Sequence, residues 1–419
     1  MDDETSFCQE LREAVRSELA GALETLSALV AQPSLRGQEV GAQECVEVAL
    51  RDLGFAVERQ ALNDELGNDP LAGVPFQSYD GRFNVLGHTP RVDGPTLLIN
   101  GHIDVVPVDE RTWSTPPFSP FVKDGWLYGR GAGDMKGGFA MAFLALRALR
   151  AVGSKAGTTN LSFLSVIEEE YTGNGTLAAV RAGVEADAVI LPEPTNLDLL
   201  LGGVAITWLR VQVYFGGGHA ESADRLASPA QVVARLIDAF AVFEDRYNEV
   251  RPAPYHGIAR PFNVNVGVLR LGEWASSVPA VLELDVRVGH LSSKSDEHVR
   301  ADVHALVAAT LVDAGGPAFD VTFNGFKAEG YYLDAEHSLV GALQLAHQRM
   351  HGVTPGVDVL GSTTDARYYV NQLGVPALCF GPVVKNMHGS NECVNVASIE
   401  QGALTLARFV AAYFDKDRA

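Results

Sequence analysis

The stretch TLLINGHID, residues 96–104, decides the fold class, because it is an apolar strand that runs into His102 and Asp104. Its apolar residues do not alternate with polar ones, which is typical of a parallel strand covered on both faces. The other strand-like runs of this kind are residues 161–167, 188–191 and 377–380. Amphipathic, helix-like segments alternate with them near residues 7–31, 39–53, 136–151, 337–350 and 398–414. The pattern predicts an α/β fold with a mixed, largely parallel sheet flanked by helices.

A second rhythm occupies the segment from residue 203 to residue 325. Strand-like and helix-like stretches follow one another there in the order βαββαβ, at residues 206–215, 229–247, 262–271, 278–288, 296–313 and 319–323. This order is a complete ferredoxin-like unit. Since the α/β pattern resumes afterwards, we predict a main domain in two parts, residues 1–202 and 326–419, with a second domain, residues 203–325, inserted between them.

Composition excludes several classes of protein. The chain has 419 residues, with 32 Lys and Arg against 52 Asp and Glu, so its net charge of −20 repels phosphate backbones and anionic lipids. We therefore expect neither a nucleic-acid partner nor a membrane. No run approaches the roughly 18 apolar residues of a membrane span, and three of the first five residues are acidic, unlike the start of a secretory leader. Four cysteines without CxxC spacing favour free thiols and a cytoplasmic location.

Residues able to bind metal follow the ends of the predicted strands. In an open parallel sheet, ligands bind beyond the carboxyl ends of the strands. The residues at such positions are His102 and Asp104 after the first strand, Glu168, Glu169 and Glu170 after residues 161–167, Glu193 after residues 188–191, and His388 beyond residues 377–380; Asp134 directly precedes a predicted helix. Five segments could therefore deliver carboxylates and imidazoles to one edge of the sheet.

Such a cluster of carboxylates needs positive charge, since neighbouring carboxylates repel each other and raise one another's pKa. Two divalent cations carry +4, Asp134, Glu170 and Glu193 together carry −3, and one hydroxide cancels the remaining +1. His102 and His388 would be neutral donors. Oxygen and nitrogen ligands without thiolate suit zinc, manganese or cobalt, so the residues predict a two-metal centre.

Five separated motifs resemble those of the two-metal metallopeptidases and deacylases, the family of acetylornithine deacetylase, succinyl-diaminopimelate desuccinylase, aminoacylase and glutamate carboxypeptidase. The motifs are GHID at 101–104, GAGDMKGG at 131–138, EEE at 168–170, PEPT at 192–195 and HGSNE at 388–392. The resemblance covers essentially the whole chain. It implies that the main domain is catalytic and that the inserted domain is a lid through which two chains form a homodimer.

The same resemblance implies a ligand set of two divalent metal ions per chain, zinc first, with manganese or cobalt as alternatives. His102 and Glu193 would bind one ion, Glu170 and His388 the other, and Asp134 would bridge the two. None of these assignments follows from spacing alone.

Catalytic roles are implied as well. Asp104 would receive the second ring N–H of His102, which sets the tautomer of a metal-binding histidine. Glu169 would act as general base and acid, taking a proton from the metal-activated water and returning it to the leaving nitrogen. His219, in the motif FGGGHA, would cross the dimer interface to stabilise the oxyanion in the partner's site. Arg287 and Arg367 would hold a substrate carboxylate by bidentate contacts, and Asn391 would be a further substrate contact.

The sequence therefore predicts a metal-dependent hydrolase that cleaves a C–N bond in a small, carboxylate-bearing molecule, with N-acyl amino acid deacylation as the first choice. An exopeptidase or dipeptidase is the alternative within the family, and an aminohydrolase of an aromatic amine is a further one. A different class, an inactive metal-binding scaffold, would be favoured by a missing Glu169 or a broken ligand set, and neither is missing in this sequence.

Overall fold

The computed structural model describes residues 3–222 and 228–415. Within these ranges the α-helices are α1 (Asp3–Val30), α2 (Val40–Asp52), α3 (Gly137–Ala151), α4 (Asn174–Arg181), α5 (Pro229–Tyr247), α6 (Asp296–Leu311), α7 (Ser338–His351), α8 (Ala366–Tyr368) and α9 (Val396–Phe414). The β-strands are β1 (Ala56–Ala61), β2 (Phe83–His88), β3 (Leu97–His102), β4 (Phe121–Lys123), β5 (Trp126–Tyr128), β6 (Leu161–Val166), β7 (Ala188–Leu191), β8 (Leu199–Gly203), β9 (Ala205–Tyr214), β10 (Gly218–His219), β11 (Val264–Leu271), β12 (Ser277–Val278), β13 (Val281–His290), β14 (Ala318–Ala328), β15 (Tyr331–Tyr332), β16 (Val357–Leu360), β17 (Ala377–Cys379), β18 (Val384–Lys385) and β19 (Cys393–Asn395). Among the helices described here, none combines the length and the apolar character that crossing a bilayer requires.

The main sheet has the strand order β1-β2-β6-β3-β7-β17-β8-β15, with β16 beside β8. Its centre, β6-β3-β7-β17, is parallel, whereas β1 and β2 at one edge and β15 at the other pair antiparallel. The predicted mixed, largely parallel α/β sheet is thus confirmed.

Helices cover both faces of this sheet, which explains why its strands lack polar alternation. Every residue of β3, β6 and β7 is buried. Leu97 and Ile99 pack into a core with α1, α3 and α9, while Leu98 between them packs towards α4 and α8 on the opposite face. A strand enclosed in this way must be apolar at every position.

The inserted segment forms a second, antiparallel sheet of order β11-β13-β9-β14. Its elements follow one another as β9-α5-β11-β13-α6-β14, the βαββαβ order expected from the sequence. Apolar residues of α5 and α6 pack on one face of this sheet in a core of their own. The proposed domain boundaries at residues 203 and 325 stay predictions, and the three ranges include residues 1–2, 223–227 and 416–419, which lie outside the described part of the chain.

A small sheet of order β18-β19-β5-β4 was not predicted, although it positions part of the site. Cys393 in β19 pairs with Tyr128 in β5. The loop that joins β18 to β19 therefore lies next to the segment that follows β5. The loops after parallel β3, β6 and β7 lie at one edge of the main sheet. The segment after β5 and the β18–β19 loop reach the same edge, where Asp134 contacts His102 and His388 contacts Glu170.

Candidate metal centre

Asp134 lies between two imidazoles. It follows β5 and is 9% exposed. Its Oδ1 is 3.1 Å from Nε2 of His102, the last residue of β3, and its Oδ2 is 3.2 Å from Nε2 of His388, in the β18–β19 loop. Each carboxylate oxygen therefore faces a different ring nitrogen, which is the arrangement needed by a carboxylate that bridges two ions.

Two further carboxylates lie beside these two imidazoles. Oε2 of Glu170, after β6, is 3.1 Å from Nε2 of His388, and Oε2 of Glu193, after β7, is 3.9 Å from Nε2 of His102. Two ligands on one metal at about 2.1 Å lie roughly 3–3.5 Å apart. Three of the four distances fall in this range, and the one between Glu193 and His102 is longer. The structure brings the five predicted ligands together in two groups, each of which shares Asp134.

The charges of these residues fit divalent cations. Burial raises the pKa of Glu193 to about 8 and that of Glu169 well above its usual range. The carboxylate of Glu170, together with Asp134, raises the pKa of His388 to about 11 despite burial. Oε1 of Glu170 is buried and has no hydrogen-bond partner among the described residues. Divalent ions would stabilise these buried carboxylates, which otherwise repel one another. The five predicted ligands offer oxygen and nitrogen atoms, and none of them is a thiolate.

Asp104 makes different contacts from those expected. Nδ1 of His102 lies 2.9 Å from the backbone carbonyl oxygen of Asp104 and 3.7 Å from its carboxylate. The carboxylate instead accepts the backbone N–H groups of Glu169 and Glu170, both at 3.1 Å. Those two donors satisfy a fully buried carboxylate, whose pKa burial raises to about 8. Asp104 consequently holds both the ring of His102 and the turn that carries the two glutamates.

Glu392 makes four hydrogen bonds, although the sequence had not indicated a role for this residue. Its carboxylate accepts three backbone N–H groups of the 131–134 segment, at 3.1, 2.8 and 2.9 Å, and is 2.6 Å from Nη1 of Arg130. Nη2 of Arg130 in turn donates to the carbonyl oxygen of His388 at 3.3 Å. The signal in the sequence was an acidic residue four places after His388. Glu392 and Arg130 join the loops that carry Asp134 and His388.

A cavity of about 410 Å³ opens beside these residues, and its wall includes Asp134, Glu169, Glu170, Glu193 and His388. Glu169 is 8% exposed, and Oε2 of its carboxylate lies 4.0 Å from Nε2 of His102.

Arg287 also lies in the wall of this cavity. Its Nη2 donates to the carbonyl oxygen of Gly361 at 3.0 Å, and its Nη1 donates to the side chain of Asn263. Of the three residues expected to contact substrate, Arg287 alone is placed in the described wall.

Arg367 and Asn391 lie outside the described wall of the cavity. Arg367 is 2% exposed, and its guanidinium donates to the carbonyl oxygen of Thr364 at 3.0 Å and to the hydroxyl of Tyr368 at 3.2 Å. Oδ1 of Asn391 accepts the backbone N–H of Ser114 at 2.9 Å. These side chains bind loops of the protein, which is not the role that the motifs suggested for them.

His219 is also outside the described wall. It lies on β10, which pairs with β12, and its side chain is 71% exposed. The role expected for His219 concerns the site of a second chain in a dimer. The position of His219 within one chain does not test that role, which stays a prediction.

A family model described as peptidase family M20/M25/M40 matches residues 98–412. This range contains all five motifs and runs from β3 into α9. The match confirms the resemblance on which the predicted activity was based.

Similar proteins cover the full length of the chain. N-formyl-4-amino-5-aminomethyl-2-methylpyrimidine deformylase of Bacillus subtilis (strain 168) is 26% identical over 445 residues, covering 100% of each protein. Human carnosine dipeptidase 1 has a TM-score of 0.79 at 16% identity, covering 97% of this chain and 98% of its own. The Bacillus subtilis YXEP protein, described as a dinuclear metal binding peptidase, has a TM-score of 0.60 at 14% identity, covering 95% and 99%. The two structural likenesses show the fold.

Proposed function

Because the chain belongs to peptidase family M20/M25/M40 and is a metal-dependent amidohydrolase, we propose that it hydrolyses the C–N bond of a small N-acyl compound to a carboxylic acid and an amine. One observation carries the proposal: four donor residues, His102, Glu170, Glu193 and His388, meet around Asp134, and Glu169 lines the adjoining cavity. The full-length similarity to a deformylase supports removal of an acyl group.

We propose two divalent ions, zinc first and manganese or cobalt as alternatives. His102 and Glu193 would hold one, Glu170 and His388 the other, and Asp134 would contact both. When bound, such ions lower the pKa of a coordinated water towards about 7 and polarise the carbonyl group under attack. The similarity in fold to a protein described as dinuclear supports the number of ions.

Glu169 is the proposed general base and acid. Its carboxylate lies in the cavity wall beside the proposed ligands, within reach of a water between them, and burial raises its pKa above the usual range. It would take a proton from water and deliver it to the leaving nitrogen. Asp104 would hold Glu169 in place through its backbone N–H. Arg287 is the proposed contact for a substrate carboxylate, since its cation lies in the same wall.

We further propose a homodimer formed through the inserted lid, with His219 of one chain stabilising the oxyanion in the site of the other. A cytoplasmic location is proposed because all four cysteines, Cys8, Cys45, Cys379 and Cys393, are free thiols, whereas disulfides are typical of oxidising compartments.

Glu169→Gln tests the proposal, with the conservative Glu400→Gln on α9 as the matched control. We expect the Glu169 variant to bind two metal equivalents, measured by elemental analysis, and to lose kcat by several orders of magnitude, because a base and acid is removed while the ligands stay. Exhaustive chelation should abolish turnover, and zinc, manganese or cobalt should restore it.

The products decide between the alternatives. In a panel of N-formyl, N-acetyl and N-succinyl amines and amino acids, dipeptides and aryl amines, the N-acyl compounds should be hydrolysed and release their acyl group as a free carboxylic acid. Release of ammonia instead would favour an aminohydrolase, and activity confined to dipeptides would favour a dipeptidase. Near-normal activity of the Glu169 variant would contradict its assigned role.

A further inference from the structure

Three consecutive glutamates follow β6, and each has different surroundings. Glu169 lines the cavity, and Oε2 of Glu170 is 3.1 Å from Nε2 of His388. Glu168 is buried and lies outside the described wall of the cavity. Its backbone has φ of +67°, a left-handed conformation that is unfavourable for a residue with a Cβ. Contacts of Glu168 must therefore stabilise this conformation, from which the chain continues to the proposed base.

A buried guanidinium holds the carboxylate of Glu168. Nη2 of Arg82, which precedes β2, donates to Oε1 of Glu168 at 2.6 Å, and the hydroxyl of Thr172 donates to Oε2 at 2.8 Å. Nε of Arg82 donates to Oε2 of Glu39, which precedes α2, at 3.2 Å. Arg82 and Glu39 are both buried. One planar cation thus joins the glutamate turn to two other segments of the main domain, through charge-assisted hydrogen bonds that are stronger and more directional than neutral ones.

The turn that begins at Glu168 is fixed on both sides of the proposed base. The carbonyl oxygen of Glu168 accepts the backbone N–H groups of Thr172 at 3.0 Å and of Gly173 at 2.7 Å. The carboxylate of Asp104 accepts the backbone N–H groups of the two glutamates that follow. Asp104 therefore holds the backbone that carries the proposed base, whereas Arg82 holds the side chain of the residue before it. A proton-transfer group needs such support, since it acts only in a narrow range of positions.

We propose that Glu168 and Arg82 are positioning residues for Glu169. Their ion pair orients the turn so that the carboxylate of Glu169 points into the cavity, and neither residue contacts metal or substrate. This inference rests on the proposed function, in which Glu169 is the general base and acid, and it adds the contact that aims this residue. The expected effect is geometric, because a displacement of about 1 Å at a reacting group can lower a rate about 100-fold.

Glu168→Gln is the main variant, because the amide keeps the size of the side chain and removes its charge. With the N-acyl compound of the panel that is hydrolysed fastest, we expect kcat to fall about 10–100-fold and KM to change less than about twofold. Two metal equivalents should remain bound. A kcat equal to that of the wild type would overturn the inference.

Glu47→Gln is the matched control. Glu47 is also a buried glutamate with an arginine partner, since its Oε2 accepts a hydrogen bond from Nη2 of Arg59 at 3.0 Å. It lies outside the described wall of the cavity, so its variant should keep the kcat of the wild type.

A double variant distinguishes positioning from a general structural role. In Glu168→Gln/Glu169→Gln, measured at high enzyme concentration, kcat should lie within about twofold of that of Glu169→Gln alone, because Glu168 acts only through Glu169. A further loss of about 10–100-fold would overturn the inference.

The partner side of the ion pair is tested by Arg82→Lys and Arg82→Met. Lysine keeps the charge but not the planar fork, so it should retain more of the wild-type kcat than methionine, which leaves two buried carboxylates unpaired. Equal kcat in these two variants would contradict a role of the charge. If Arg82→Met does not fold, the Glu168 variants still decide the result.

Crystal structures of the zinc-loaded wild type and of Glu168→Gln separate this inference from the proposed function. We expect the carboxylate of Glu169 to move by about 1 Å or to occupy two conformations, while the proposed metal ligands stay in place. An unmoved Glu169 carboxylate would overturn the inference, whether or not an N-acyl compound is hydrolysed. A displaced carboxylate together with full activity of Glu169→Gln would contradict the proposed function alone.

Discussion

The edge of the main sheet and the inserted segment around His219 differ in how deeply their polar side chains are buried. At the sheet edge, Asp104 and Glu392 are buried carboxylates, which accept two and three backbone N–H groups, respectively, from loops that carry the proposed metal ligands. His219 is 71% exposed and lies on a strand of two residues. Buried polar groups must be satisfied and thereby hold their loops. The exposed ring of His219 accepts the backbone N–H of Glu221 at 3.3 Å, a contact within its own short segment. The proposed ligands thus come together within one chain, whereas the oxyanion role proposed for His219 would require a second chain.

His219→Ala is the change with the largest expected effect on this comparison. If His219 stabilises the oxyanion, kcat should fall about 10²–10³-fold, as is usual when one such donor is removed, and the metal content should stay at two equivalents. Steady-state kinetics and elemental analysis measure the two quantities. The control is His256→Ala, a lid histidine outside the described wall of the cavity. A loss of metal in the His219 variant would contradict the separation of roles.

Mixing two inactive variants tests whether His219 acts in trans. After refolding or subunit exchange of Glu169→Gln with His219→Ala, about half of the dimers contain one chain of each kind, and each of these has one complete site, so activity should recover to about a quarter of the wild-type value. Analytical ultracentrifugation should show dimers in every sample. A fully active monomer, or a mixture with no recovery, would argue for a site completed within one chain.

Glu392→Gln tests the other region. Because an amide cannot accept all the contacts that the carboxylate makes with Arg130 and the 131–134 segment, Asp134 should be positioned less well. We expect metal affinity to fall about 10–100-fold, the usual effect of removing support from a metal ligand. Competition with a chelator measures it. Glu297→Gln, on the exposed side of α6, is the control, and equal affinity in both variants would contradict the assigned role.

The smallest effect is expected for His347, a buried residue of α7 outside the described wall of the cavity. Burial, followed by the neighbouring His351, lowers the pKa of His347 to about 4, against about 6.5 in an unfolded chain. The unfolded chain therefore takes up the proton first, and stability falls as the pH falls from about 6.5 to about 4. We expect His347→Gln to reduce the loss of unfolding free energy between about pH 6.5 and pH 4 by about 1–2 kcal/mol. Urea unfolding of the metal-free protein at several pH values measures this loss. An unchanged slope would contradict the assignment.

Much of this protein was predictable because the signals are local. Continuous apolar runs predicted β3, β6, β7 and β17, and the βαββαβ order of the inserted segment followed from the alternation of strand-like and helix-like stretches. The residues after the parallel strands could be placed at one edge because parallel strands end there together. His102, Glu170 and Glu193 follow from that rule. His388 was placed there because it follows the strand-like run 377–380, and Asp134 because it precedes a predicted helix. The small sheet that contains β5 and is joined to the β18–β19 loop was not predicted.

The sequence by itself determined the fold class, the family and the set of metal-capable residues, because periodicity, strand ends and short motifs are properties of neighbouring residues. Tertiary structure alone decided that Glu392 holds the Asp134 loop and that Arg367 and Asn391 bind protein loops. It also decided that Trp208 lies on the lid side of the cavity. Glu392 and Asp134 are 258 positions apart, and Asn391 and Ser114 are 277 apart. Contacts of such range depend on how complete elements pack, which no local pattern records.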